Sequence, residues 1–235
     1  GTACLAWGDW TSFPPGFASS WGAWWWPFRP TEVPVRSKRS GILALLLALG
    51  VALMLNRLRP SPAGGRYIVL DPGHGGRDPG AVDAATGTRE ADLNLAQALT
   101  LKEYLTRLGY SVGFTRTTDE TVPLPERIAR ARRMGARLFV SVHHDTPTAT
   151  RPGVYYSPHP GSEELARTIA AALGSDAWVR PSSASRFGRL YIDDFPGPAV
   201  LVEFGPTRPV SRDERIARAQ AVASPIAEFT RRYVA

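Results

Sequence analysis

An apolar run that ends on a proline, followed by three glycines around one histidine, constrains this chain more than any other stretch. Tyr67-Ile68-Val69-Leu70 is β-rich and short enough for a buried strand. Asp71-Pro72-Gly73-His74-Gly75-Gly76 follows directly. Pro72 fixes φ and has no N–H to offer, so the strand stops there. Gly73, Gly75 and Gly76 permit positive φ and close backbone approach. The pattern predicts a tight loop at the carboxyl end of a strand, carrying one imidazole, at the edge where open α/β sheets bind ligands. It is not a phosphate loop, because no Gly-Lys-Ser/Thr follows.

Two further apolar runs resemble the first: Leu138-Phe139-Val140-Ser141-Val142-His143 and Ala199-Val200-Leu201-Val202-Glu203. Shorter strands are expected over 111–115 and 154–157. Between them lie helical patterns. Ala91 to Leu108 places Leu95, Leu99 and Leu105 near one face, joined by Ala96, Ala98 and Leu108, with Gly109 as C-cap. Leu124 to Met134 is stopped by Gly135, and Ser162 to Leu173 forms a third helix. Asp213 to Tyr233 carries Ile216, Ala219, Val222, Ile226 and Phe229 on one side, with Pro225 expected to kink it. Strands alternating with helices predict an α/β fold, a largely parallel sheet flanked by helices, in a single catalytic domain running from about Arg66 to the end.

What precedes Arg66 differs in composition. Residues 1–34 are rich in Trp, Phe, Pro, Gly and Ser without a helix or strand period; one hypothesis for this irregular segment is translated upstream sequence, and the alternative is an interfacial aromatic segment. Arg36-Ser37-Lys38-Arg39 then precedes fifteen uncharged apolar residues, Gly41 to Leu55, and Pro60 to Gly65 is a short linker. Residues 35–65 are expected to be an uncleaved signal anchor, with a cleaved signal peptide as the alternative. Either sends the domain across an inner membrane, to a periplasmic or otherwise extracytoplasmic location. The chain's net charge of +7 is split. Residues 1–65 hold six Lys/Arg against two acids, and the remainder 22 against 19, so much of the excess flanks the apolar segment. No nucleic-acid partner is therefore expected. The lone Cys4 excludes an intrachain disulfide and a cysteine zinc site.

The chemistry converges on four residues. His74, His143 and Glu203 end or follow the three apolar strands, and Glu90 lies a short loop beyond the first, where a helix N-terminus favours a carboxylate. Two imidazoles and one carboxylate with an open position describe a catalytic zinc site, and a second carboxylate can transfer protons. A non-haem iron centre uses similar ligands, but its common β-sandwich setting does not fit this strand–helix alternation.

These residues carry a family resemblance. The region 66–235 is similar to the zinc-dependent N-acetylmuramoyl-L-alanine amidases of the amidase-3 type. The likeness rests on Ile68 through Gly76 with Asp78-Pro79-Gly80-Ala81, on Glu90, on Leu124 to Arg127 leading to Ser141-Val142-His143, and on Ala199 to Gly205. The resemblance implies zinc ligands His74, Glu90 and His143, with Glu203 as the catalytic carboxylate. It implies a peptidoglycan substrate, cleaved between N-acetylmuramic acid and L-alanine. The alternative is a non-catalytic peptidoglycan-binding protein with a degenerate metal site. There are departures: His144-Asp145 stands where the family usually has Ala-Asn, and Gly205-Pro206-Thr207-Arg208 replaces a Gly-Phe and Ser-Asn pattern. Strand alternation puts His143 and His144 on opposite faces, which favours His143 as the ligand. Asp71, Asp145 and His144 are candidates to orient the ligand imidazoles. The segment between His143 and Glu203 is too short for the inserted plug helix of some relatives. The domain is expected to be a monomer, attached to the membrane through residues 41–55 if these are uncleaved.

Overall fold

A computed structural model describes residues 68–233. The aromatic segment 1–34 and the basic-flanked stretch 35–65 lie outside the described residues. No helix among the described residues is long and apolar enough to cross a membrane. The elements run β1 (Ile68–Pro72), α1 (Glu90–Arg107), β2 (Val112–Phe114), α2 (Leu124–Arg133), β3 (Leu138–Asp145), β4 (Gly153–Tyr156), α3 (Ser162–Leu173), β5 (Trp178–Pro181), β6 (Ala199–Pro206) and α4 (Arg212–Tyr233). Two 3₁₀ turns, Ser182–Ala184 and Tyr191–Asp194, separate β5 from β6.

One six-stranded sheet has the order β2-β1-β3-β6-β4-β5. β1 pairs in parallel with β2 and β3, and β3 with β6. β4 runs antiparallel to β6 and carries β5 parallel to itself at the far edge. Successive residues of the central strands face opposite layers. Ile68, Leu70, Val140, Val142, Val200 and Val202 pack with Leu101 and Leu105 of α1, Leu165 and Ile169 of α3, and Val222, Ile226 and Phe229 of α4. Val69, Phe139 and Leu201 face the other way, against Ile128 and Ala131 of α2 and Ile192 and Phe195 near the second 3₁₀ turn. Burying each large aliphatic side chain contributes about 1.5–3 kcal/mol, so these two layers hold the strands in register.

The expected elements are present, with three differences. β5 and the turns after it are not expected from the sequence; the apolar pair Trp178-Val179 is cut short by Arg180 and Pro181. β4 and β5 run against the other strands. The buried face of α1 also differs from the apolar reading. Its inward residues are Glu90, Ala91, Asn94, Gln97, Ala98, Leu101 and Leu105, while Leu99 and Leu108 are exposed. The phase is set by polar residues with inward partners. Asn94 donates to the Gly73 carbonyl and to Glu90, and Gln97 to the Arg215 carbonyl. α4 continues through Pro225 as one helix.

Beneath the end of β1 lies a buried ion pair. Arg127 Nη1 donates to Asp71 Oδ1 at 2.9 Å, and both side chains are buried. The hydroxyls of Thr115 and Tyr191 also donate to Asp71, and Ser141 Oγ donates to its Oδ2 at 3.0 Å. Burial alone pushes the Asp71 carboxyl up. The Arg127 charge and the hydrogen bonds from Thr115, Tyr191 and Arg127 outweigh it and hold the group below the usual carboxylate range. Since the folded value is the lower one, this contribution is complete above the unfolded value of about 3.9 and fades as pH falls through the folded value. Arg127→Met strands a buried carboxylate and is expected to cost about 3–5 kcal/mol in denaturant unfolding. It should also shrink the loss of stability seen on acidifying the wild type below about pH 4. A variant as stable as the wild type, with an unchanged acid limb, would contradict this role.

Candidate metal centre

Three strands and one helix N-terminus build the site. β1 turns at Pro72, and His74 takes up φ 61°, the one left-handed backbone among the described non-glycine residues. That conformation costs on the order of 1–3 kcal/mol and persists only where the surroundings impose it. They do so through carbonyl oxygens. Arg116 Nε and Arg127 Nη1 donate to Pro72 O at 2.8 and 2.7 Å. Arg116 Nη2 donates to Gly73 O at 2.8 Å, and Arg127 Nη2 to His74 O at 2.7 Å.

The imidazole so placed donates from Nδ1 to Asp78 Oδ2 at 2.8 Å, and its Nε2 lies 3.2 Å from Glu90 Oε2. Glu90 opens α1, where the helix dipole favours an anion, and it accepts from the Ala81 N–H at 2.9 Å and from Asn94 Nδ2 at 3.1 Å. Its other oxygen lies 2.9 Å from Nδ1 of His143 in β3. The rings of His74 and His143 meet edge-on at 5.0 Å. One potential ligand atom from each of His74, Glu90 and His143 lies within 4.8 Å of the others, so the three form a group that can hold a metal ion.

Two glycines of the sequence motif make this approach possible. A Cβ on Gly73 would sit 2.2 Å from the His143 ring, and one on Gly80 would sit 2.6 Å from Glu90 Oε2 and 2.7 Å from His74 Cδ2. Gly80 also has φ 66°. Gly73 therefore serves close approach and not a positive φ, unlike Gly75 and Gly76.

Glu203 reaches the same edge from β6, in register with His143. Its Oε2 is closed to solvent without a hydrogen-bond partner. Burial, with the negative charges of Glu90 and Asp145, holds its carboxyl well above the ordinary carboxylate range, against a weaker pull from Arg186. Glu90 goes the other way: burial opposes ionisation, but His143 and His74 hold it far below the ordinary value. A solvent-closed carboxylate oxygen beside two other acids, with no hydrogen-bond donor among the described residues, is the setting that a bound dication would balance.

His144 takes no part in the cluster. Its ring lies on the opposite face, with Nδ1 2.9 Å from Asn94 Oδ1 and the ring 6.0 Å from that of Phe204. Burial first, then the Arg218 charge, pulls it down to about 3, so it is neutral. Of the three candidates for orienting an imidazole, none contacts a ligand ring. Asp71 is engaged by Arg127, Asp145 accepts from the Thr146 N–H at 2.7 Å, and His144 holds Asn94. Asp78 does the orienting. The signal was the short spacing from His74 to Asp78 within a loop closed by mutual Gly75 and Asp78 backbone hydrogen bonds.

A family model described as N-acetylmuramoyl-L-alanine amidase matches residues 68–229. The chain is 43% identical over 104 residues to the N-acetylmuramoyl-L-alanine amidase AmiC of Neisseria meningitidis, covering 41% of this chain and 25% of that protein. It is 33% identical over 149 residues to the uncharacterized protein YqiI of Bacillus subtilis, covering 61% of this chain and 71% of that protein. Among solved structures, the catalytic domain of CwlV, an N-acetylmuramoyl-L-alanine amidase from Bacillus (Paenibacillus) polymyxa, superposes with a TM-score of 0.61 at 26% identity. That match covers 70% of this chain and 97% of the other. The chain thus spans about a quarter of the Neisseria relative.

The glycine geometry gives a matched pair of variants. Gly87 also has a left-handed φ, 72°, but nothing lies within 4 Å of a Cβ placed there. Gly87→Ala is expected to cost about 1 kcal/mol for backbone alone. Gly80→Ala should cost at least about 1 kcal/mol more by denaturant unfolding, because it also overpacks His74 and Glu90. Equal costs would show that the cluster opens without penalty.

Proposed function

The chain belongs to the N-acetylmuramoyl-L-alanine amidase family of the amidase-3 type, and from that premise we propose that it is a zinc-dependent amidase of peptidoglycan. The bond cleaved is the amide between the lactyl group of N-acetylmuramic acid and L-alanine. The observation that carries this reading is the convergence of His74, Glu90 and His143 at one sheet edge with Glu203 in register beside them. The donor set fits the metal: two imidazoles and one carboxylate match the His₂Glu set of catalytic zinc sites.

In this reading His74, Glu90 and His143 hold the zinc, which supplies Lewis acidity toward the scissile carbonyl and makes water a better nucleophile near neutral pH. Asp78 fixes the His74 ring through Nδ1, leaving Nε2 turned toward Glu90. Asn94 and the Ala81 N–H fix Glu90, so the carboxylate presents its oxygens to both imidazoles. Glu203 is the proton-transfer group. Its Oε2 accepts the proton of the attacking water and returns it to the leaving alanine nitrogen. His144 is kept out of the reaction by its orientation and remains a structural support for Asn94. Between β3 and β6 the one α-helix among the described residues is α3, and it is engaged against β4 and α4 through Leu165, Ile169 and Phe229. Activity without removal of a plug is therefore part of the proposal. So are extracytoplasmic action, anchoring through residues 41–55, and a monomeric state.

The test measures metal content and amidase rate on the same preparations. Glu203→Gln should keep zinc and the fold while losing roughly 10²–10⁴-fold in rate on purified cell wall. His74→Ala, Glu90→Ala and His143→Ala should lower zinc affinity, and His144→Ala should do so much less. Loss of zinc in Glu203→Gln would make Glu203 a fourth ligand and the site closed. Retained zinc with an unchanged rate would remove Glu203 from the mechanism.

A further inference from the structure

The register that sets Glu203 beside His143 continues across the sheet. Glu203 pairs with Gly153 of β4, and Gly153 with Trp178 of β5. Paired residues on adjacent strands share a face, so His143, Glu203 and Trp178 project to the same side. Two strand spacings put the Trp178 backbone about 10 Å from that of Glu203. The indole comes back over the intervening glycine: a Cβ on Gly153 would lie 1.9 Å from Trp178 Cε2. One step along, Tyr155 pairs with Arg180 on that face. The Tyr155 ring meets Trp178 edge-on at 4.7 Å, and the Arg180 guanidinium lies over the indole, 5.0 Å from the ring centre. Tyr155 and Trp178 are half-buried, whereas Arg180 is exposed.

A second cation approaches from the loop after β5. Arg186 is exposed and sits 4.6 Å above the ring of Phe187, which is 73% exposed. Both groups share an electrostatic neighbourhood with the catalytic edge. Arg186 opposes the upward shift of Glu203. Burial, followed by the competing influences of Arg180 and Glu203, leaves the Tyr155 hydroxyl above the usual phenol range. Neither arginine has a carboxylate ion-pair partner in the described structure: the ion pairs of this region use Arg189 with Asp193 and Asp194.

We propose that Trp178 and Tyr155 position Arg180, together with Arg186, as an anion-recognition subsite beside Glu203, which takes a carboxylate on the peptide arm of the substrate. The inference rests on the amidase reading above. A guanidinium stacked on an indole is pre-organised, so less freedom is lost when it pairs with a carboxylate. What this step offers to solvent is a cation and not an open aromatic face, which selects a charged peptide over a neutral sugar. The reach also fits. A peptide advances about 3.3–3.6 Å per residue, so a carboxylate on the second residue lies up to roughly 7 Å from the scissile nitrogen, between one and two strand spacings, and the Arg180 side chain covers the remainder.

The probes are N-acetylmuramoyl-L-alanyl-D-glutamate and the same compound with its α-carboxylate converted to the carboxamide. Binding to the full chain is measured by calorimetry in the Glu203→Gln background, where turnover does not interfere. The acid should bind roughly five- to tenfold more tightly than the carboxamide. Arg180→Gln should remove most of that preference and Arg186→Gln part of it. Trp178→Ala should weaken binding of the acid while leaving that of the carboxamide unchanged, which a merely structural role for the ring does not explain, and Trp178→Phe should restore the preference. Absence of a preference, or one that survives both arginine substitutions, would overturn the subsite. Cleavage is followed separately with the otherwise wild-type chain. Charge-dependent binding without cleavage would sink the amidase reading alone, and cleavage without charge-dependent binding would sink the subsite alone.

Discussion

Three consecutive carbonyls, those of Pro72, Gly73 and His74, turn into the protein at the end of β1, and two buried guanidiniums hold them. The rest of the site depends on that grip. Backbone carbonyls without partners are costly when buried, and a loop opened by a proline has no ladder to satisfy them. Arg116 and Arg127 supply rigid, multiply donating groups that match the loop. Arg127 is in turn held by Asp71, and Arg116 also reaches the carbonyls of Ala91 and Thr118. The left-handed His74 is the outcome, and Glu90 and His143 are arranged around it.

The same arrangement separates two carboxylates by environment. Glu90 sits at a helix N-terminus between two imidazoles and is held ionised. Glu203 lies within β6 beside other acids and is pushed toward the protonated form. A pair of acids with opposed tendencies in one site is what acid–base chemistry requires. The surrounding residues account for the contrast: Ala81 and Asn94 donate to Glu90, while nothing among the described residues donates to Glu203 Oε2.

The three central strands and the four chemical residues are legible in the sequence because each imidazole or carboxylate follows or ends an apolar run, or lies just beyond it. Alternation along β3 separates His143 from His144, and the structure keeps them on opposite faces. What the pattern could not show follows from two physical facts. Polar residues buried for their partners look like surface residues to a hydrophobic reading, so the inward face of α1 was read through Leu99 and Leu108 instead of Asn94 and Gln97. Contacts between distant segments leave no local trace, so the hold of Arg116 on Gly73, 43 residues away, and the register from Glu203 to Trp178 appear only in the fold. Asp78 lies between these cases. It was visible in the motif, but its hydrogen bond to His74 depends on a backbone turn that spacing alone does not specify.

The central claim concerns one covalent bond, and mass spectrometry of the products addresses it directly. Purified peptidoglycan is digested with the full chain loaded with zinc, and the soluble and insoluble fractions are then analysed. The account expects free stem peptides beginning with an L-alanine amino terminus, with glycan strands left intact and lacking those peptides. Glycan fragments that still carry their stem peptides, or peptides cut at an internal bond, would contradict it.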